Sequence, residues 1–239
     1  EWNLVDDLVS PTKFNDLVKR RADEFASRSG RPNDQEGIKL GPLEVKHDDK
    51  SYQYSSVSVD LNPELGIAEI TILGPTDDVP NDINQMLLEG DRFWPLRVAR
   101  ELDDAILQLR FNELEIGVIV FKSMGSPVEV AKYCNFLQEN KDHWLAREIV
   151  FYWTRVLKRI DLTSRSLISL ITPDSCFAGF LAEIIFASDR SFMCEDVFEE
   201  FGDLEASIIL TSSNFGSHPM CNNLTRLATR FIGRPEMIE

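Results

Sequence analysis

The chain has 239 residues, 43% of them hydrophobic, which is enough for a sizeable core and argues against wholesale disorder. Its 40 Asp and Glu outweigh 25 Lys and Arg, a formal charge of −15 that argues against a nucleic-acid backbone as the main partner. Four widely spaced cysteines (Cys134, Cys176, Cys194 and Cys221) form no CxxC and no zinc-ligand spacing with His, so they read as reduced thiols of a cytoplasmic protein with no metal site. No apolar run approaches a membrane span, and the opening EWNLVDDLVSP lacks both a secretory signal and a starting Met. A piece of a longer chain is expected.

In chain order, Phe14, Leu17, Val18, Ala22 and Phe25 recur at helical spacing over Lys13 to Ala26, after the turn at Ser10 and Pro11. The basic run Lys19, Arg20, Arg21 then reads as a solvated face. The polar stretch 31–50, with Pro32, Gly37, Gly41 and Pro42, reads as a linker. Tyr52 to Leu61 and Gly66 to Leu73 predict a hairpin, and Trp94 to Arg110 an amphipathic helix. IGVIVF at Ile116 to Phe121 predicts a buried strand. Helices are expected at Val128 to Asn140 and His143 to Arg159, and a second buried strand at Ser166 to Ile171. Alternating strands and helices predict an α/β fold with right-handed parallel crossovers. The acidic stretch EDVFEEFGDLE, Glu195 to Glu205, reads as an exposed loop or surface helix between two strand-like pieces, the second being Ile208 to Leu210. The loop SSNFGSHP then leads into a last helix over Asn222 to Phe231.

The stretch SCFAGFLAEIIFASD, Ser175 to Asp189, carries the strongest chemical signal. Glu183 sits among Phe180, Leu181, Ile184, Ile185 and Phe186, and a helix apolar on every side is a buried one. A buried carboxyl has a raised pKa or a partner. Glu183 is therefore a candidate acid or base, or equally a core residue paired with an Arg or Lys. Ala178 and Gly179 leave room for a ligand to reach N–H groups at a helix start, an arrangement suited to an oxyanion. No Walker loop, no GxGxxG after a strand and no nucleophile elbow is present.

GIAEITILGP, WPLRVARELDDAILQL, IGVIVFKS and SCFAGFLAEIIFASDRSFM resemble, in this order, the first strand, first helix, valine-rich strand and Gly-rich turn with helix and Asp of the crotonase, or enoyl-CoA hydratase, superfamily. ARELDDAIL, NKDHWLARE, RIDLTSRSL, DSCFAG and NFGSHPM resemble, more specifically, the second half of the benzoyl-CoA-dihydrodiol lyase family. The resemblance covers nearly the whole chain. It implies a crotonase-like spiral of repeated ββα units without its closing C-terminal helices. Residues 1–30 would be the tail helix of an upstream crotonase unit, 31–50 a linker, and 51–239 a second unit cut short at its C-terminus.

The implied reaction is hydrolytic opening of an oxygenated benzoyl-CoA ring to an open-chain semialdehyde thioester and formate. Such a reaction needs no metal or redox cofactor, since CoA belongs to the substrate. The implied partners are the acyl-CoA thioester, the upstream unit and further copies in a homo-oligomer. Mapped residue by residue, the oxyanion donors fall at Gly179 and Phe180 and at Ala131 and Lys132, the latter in GSPVEVAKY, which lacks the family's Ala-Gly-Ala-Asp pattern. Ser212 stands where many hydratases place a second Glu, and a hydroxyl is no general base by itself. Asn214 is placed to orient a water, while His218 reads as exposed. Asp142 fits an N-cap with His143 in the first turn and Trp144 as an anchor, and Glu148 faces Arg147 or Arg155. Cys176 reads as a small buried residue rather than a nucleophile. Three readings stay open: a catalytic unit centred on Glu183, a structural half that packs against a partner unit, and an acyl-CoA binding module. A hydratase or isomerase of another acyl-CoA is the alternative activity.

Overall fold

The computed structural model describes residues 2, 4–30, 36–195 and 205–238, in two units, Glu1–Gly37 and Ile38–Glu239. In the first, Pro11 opens helix α1 (Pro11–Arg28), as suits a residue with fixed φ and no N–H to leave unpaired. Arg21 holds Asp7 through Nε at 3.0 Å and Nη2 at 2.8 Å, and Glu24 at 2.9 Å, and α1 buries none of its residues.

The second unit is built on one sheet of seven strands among the described residues: β1 (Lys46–Asp48), β2 (Ser51–Gln53), β3 (Val57–Asn62), β4 (Ile67–Leu73), β5 (Val118–Met124), β6 (Ser166–Ile171) and β7 (Arg190–Met193). They lie side by side in chain order, antiparallel from β1 to β4 and parallel from β4 to β7. Period-2 patterning fixes the inward face: Val57, Val59 and Leu61 on β3 and Ala68, Ile70 and Ile72 on β4 are buried, while Asp60 opposite Glu69 points outward. Each parallel step needs a crossover, and helices α2 (Ile83–Glu89) and α3 (Trp94–Asn112) supply the first, α4 (Pro127–Glu139) and α5 (Trp144–Asp161) the second, and α6 (Ala182–Ala187) the third. The expected α/β class, with helices crossing between parallel strands, is the class observed.

Helix α3 packs on β3 and α5. The indole of Trp153 is fully buried, donates from Nε1 to Pro95 O at 2.9 Å and stacks on Phe180 with ring centroids 4.2 Å apart. At the C-terminal ends of β4, β5 and β6 the chain closes tightly. Gly74 N–H donates to Met124 O and Gly125 N–H to Asp174 O, each at 2.8 Å, and a Cβ on Gly125 would stand 3.1 Å from Gly74 Cα. Open α/β sheets place their sites at these strand ends, and the turn before α6 leaves from here.

Several expected boundaries are corrected. The part of the 31–50 linker from Ile38 onward belongs to the second unit, because Gly41 N–H donates to Asp91 Oδ2 at 2.6 Å and Gly41 O accepts from Arg100 Nη2 at 2.5 Å. The strand expected over Tyr52 to Leu61 is two strands, since Ser55 and Ser56 turn out of the ladder to bond the buried Glu101 carboxylate at 2.5 and 2.7 Å. Helix α2, capped by Asp82 accepting from Gln85 N, was unforeseen. The last helix, α7 (Arg226–Arg230), begins only after Asn223, whose φ of +64° interrupts helical geometry. Ile208 to Leu210 contributes one bridge, Ile209 beside Ala178. The acidic stretch lies, between its end residues Glu195 and Glu205, outside the described residues.

Trp153→Ala removes the largest fully buried side chain and its hydrogen bond. We expect a loss of ~3–5 kcal/mol in urea unfolding at an unchanged m-value.

Candidate functional site

Helix α6 is short because a 3-10 turn, Gly179–Leu181, precedes it, and together they place Glu183 in the core with its side chain 1% exposed. Both carboxylate oxygens are taken. Asn214 Nδ2 donates to Oε1 at 2.7 Å and Arg226 Nη1 to Oε2 at 3.1 Å. Arg226, also 1% exposed, donates from Nε and Nη2 to Asp161 at 3.0 and 2.6 Å and from Nη1 to His218 O at 3.1 Å. Burial pushes the Glu183 carboxyl above the ordinary carboxylate range, opposed by the Asn214 amide and the Arg226 guanidinium. The paired reading of Glu183 is the geometry observed: a buried acid held between an amide and a cation.

The turn ahead of it is equally occupied. Gly179 adopts φ +50°, its N–H donates to Ile209 O at 3.0 Å, and a Cβ there would lie 2.2 Å from Cys134 Sγ. Only glycine fits at that spot. The Phe180 N–H faces the Cys134 sulfur, and burial pushes that thiol up to about 12. Cys134, carried by α4, thus stands before the Phe180 N–H, and Ile209 O before that of Gly179. Ala131 and Lys132 lie inside α4, which starts at the Ser126 cap and Pro127; Val130 N–H already closes on Ser126 O, so the next two N–H groups belong to the helix ladder. They are not presented as oxyanion donors, and they lie in the helix expected over Val128 to Asn140. The cavity between Cys134, Leu137, Val150, Trp153, Phe180 and His218 has no room for a water.

Ser212 opens a 3-10 turn and faces solvent, outside this cluster. Asn214 is wholly committed, since it also donates to Gly179 O at 2.9 Å and accepts from Thr211 N–H at 3.0 Å. His218, expected exposed, is 3% exposed: Thr154 Oγ1 lies 3.1 Å from its Nδ1. Burial, with the Arg226 charge beside it, drives its pKa from 6.5 down to about 3, so the ring stays neutral. In NKDHWLARE the cap of α5 is His143, accepting from Leu145 N–H at 3.3 Å, rather than Asp142. Among the described residues Glu148 has no ion pair; Arg155 instead lies over the Tyr152 ring and near Asp103. Cys176 is buried and its thiol is pushed up to about 11, unsuited to nucleophilic attack near neutrality. Asp189 accepts from Leu167 N–H at 2.8 Å and so fixes the start of β6. Among the described residues no three His, Cys, Asp or Glu side chains stand where they could hold a metal ion, and no helix is long and apolar enough to cross a membrane.

Benzoyl-CoA-dihydrodiol lyase of Aromatoleum evansii is 37% identical over 231 residues, 97% of this chain and 41% of the lyase. Over that span the two are relatives. The chain thus spans well under half the length of the lyase it matches. Solved structures of enoyl-CoA hydratases from Bacillus anthracis and Geobacillus kaustophilus HTA426 align with 76% and 60% of this chain and 60% and 47% of theirs, at 15% and 20% identity and TM-scores of 0.45 and 0.40. No protein-family model matches.

Sequence reading singled out Glu183 as buried but missed Arg226, Asp161 and the Cys134 plug. The signals existed: an Arg set against Leu227 at the start of a short apolar stretch, and a Cys on the Tyr133, Phe136, Leu137 face of α4. Neither indicates which acid or which glycine it meets.

Arg226→Met strands two carboxylates and is expected to cost ~3–5 kcal/mol, whereas Glu183→Gln keeps the Asn214 bond and leaves Arg226 on Asp161, for a loss of about 1–2 kcal/mol. The double variant should cost less than the sum by about 1–3 kcal/mol, read from chemical unfolding. His218 binds a proton in the unfolded chain from about pH 6.5 downward but in the folded chain only near about 3. Stability relative to His218→Gln is therefore expected to be constant above that window and to fall by up to ~1.4 kcal/mol per pH unit as pH drops through it.

Proposed function

We propose that the chain is a crotonase-type unit of an acyl-CoA lyase of the benzoyl-CoA-dihydrodiol kind, and that this unit braces the enzyme or shapes its pocket rather than carrying the reacting groups. Its kinship to the lyase supports the class. One observation carries the role: the place where a thioester oxygen and a working acid would meet is filled by Cys134, Arg226 and Asn214.

Opening an oxygenated ring conjugated to a thioester passes through an enolate, which needs free N–H donors aimed at the developing charge and an acid or base that exchanges protons with water. Here Gly179 N–H is spent on Ile209, Phe180 N–H faces a thiol, and Glu183 is buried with both oxygens bonded. The chemistry then belongs to the portion of the lyase outside this span, an upstream crotonase-type unit that serves as this unit's partner. The substrate of that whole is an oxygenated benzoyl-CoA thioester, the products an open-chain semialdehyde thioester and formate. The reading requires no resident cofactor, places the enzyme in the cytoplasm and assembles more than one copy.

Formate release from the oxygenated benzoyl-CoA is the measurement that tests this. The chain alone should release none, and release should appear with the separately made remainder of the lyase. Turnover by the chain alone would overturn the reading. In the combined assembly Glu183→Gln should keep kcat within about threefold; a loss of about a thousandfold with folding intact would return Glu183 to catalysis.

A further inference from the structure

Away from the sealed site, β1, β2 and the C-terminal end of α3 enclose an open cleft of about 330 Å³. Its walls include the rings of His47, Tyr52 and Tyr54, the amides of Gln108 and Asn112, and the carboxylate of Glu113. The rings of His47 and Tyr52 stack with centroids 4.7 Å apart and planes 7° apart, and each phenol is anchored: Tyr52 donates to Glu113 Oε1, and Tyr54 to Asp104 Oδ2 at 2.7 Å. Burial and these neighbouring carboxylates push both phenols up, so both rings remain neutral.

The donors and acceptors do not balance. Tyr52 takes up one Glu113 oxygen, and among the described residues no donor reaches the other. Asn112 Nδ2 donates to Gln108 Oε1, leaving the Asn112 oxygen without a donor. Among the described residues no Lys or Arg lines the cleft. Arg165, which bonds the Glu113 main chain, spends its N–H groups on the carbonyls of Leu109, Glu113, Ile116 and Thr163. Tyr52 is itself 3% exposed with one face against His47, so the accessible aromatic surface is that of His47 and Tyr54; beside it the solvent-facing Glu113 carboxylate and Asn112 amide oxygen are complementary to a positive charge carried on carbon-rich substituents, whose weak hydration lets it sit against rings. We infer that this cleft is a binding site for a small organic cation of the alkylammonium class, separate from any acyl-CoA chemistry.

Choline is the probe, titrated against the 239-residue chain by calorimetry and by the NMR shifts of the tyrosine rings, with 3,3-dimethylbutan-1-ol as its uncharged isostere. Saturable millimolar binding of choline, with the isostere weaker by at least about tenfold, is expected. Glu113→Gln keeps the acceptor for Tyr52 and removes the charge, and should weaken choline about tenfold; Tyr54→Phe, which keeps the ring, should change it little. Gln108→Lys, at a half-exposed helix position, should abolish binding by repulsion even where Glu113→Gln perturbs the fold. Absence of saturable binding, equal binding of the isostere, or an affinity unmoved by Gln108→Lys would each overturn the inference.

Discussion

One guanidinium organises the centre of the molecule. Arg226 comes from α7, holds Asp161 at the end of α5 and Glu183 in α6, and takes the carbonyl of His218 from the loop between them. A cation 1% exposed is very costly to leave unpaired, and a carboxylate equally buried costs as much. The pair need not stabilise the fold more than apolar residues would, since desolvation offsets most of the attraction. What it does is penalise every arrangement in which these elements are even slightly apart. The loop 211–219 and α7 have little apolar surface of their own to fix them, so their placement follows from this network and from Asn214 reaching back to Gly179 O.

The closure of the turn follows from the same placement. With Asn214 on Gly179 O and Ile209 O on Gly179 N–H, both polar groups of that glycine are occupied by its own chain. The remaining space in front of it belongs to Cys134, whose sulfur would collide with any side chain at 179. The positive φ, the missing Cβ and the small thiol are one fit: a larger residue at 134 would need the turn to move, and a larger residue at 179 would need α4 to move.

Local patterning carried the fold and part of the site. Strand β6 lies at Ser166 to Ile171 and α3 starts at Trp94, where apolar spacing put them, because period 2 in the one and period 3.6 in the other bury one side against one core. The misread segments are those whose shape is set from a distance. Ser55 and Ser56 leave the ladder for Glu101, some 45 residues later, and Gly41 is anchored by Asp91 and Arg100. At the site, an acid ringed by Phe and Ile was legible as buried, but its partners lie 31 and 43 residues on. The sequence SSNFGSHP looked solvated because its residues are polar; Thr211, Ser213, Asn214 and His218 are nonetheless buried, their polar atoms satisfied within the protein. Polarity predicts hydrogen bonding, and hydrogen bonding does not require water.

Counting donors against acceptors separates the two polar regions of this chain. Around Glu183 each oxygen has its donor, the Arg226 nitrogens are all engaged, and the Asn214 amide uses both ends. A ligand entering there would have to break bonds before making any. Around Tyr52 and Tyr54 the rings are fixed by their hydroxyls, yet acceptors exceed donors and the space is open. Binding at such a place displaces loosely held solvent instead of protein contacts, so its free energy is not consumed in remodelling. The centre that looks catalytic by residue type thus has its polar groups spent within the chain, and the room for a small ligand lies where bonding is left to solvent.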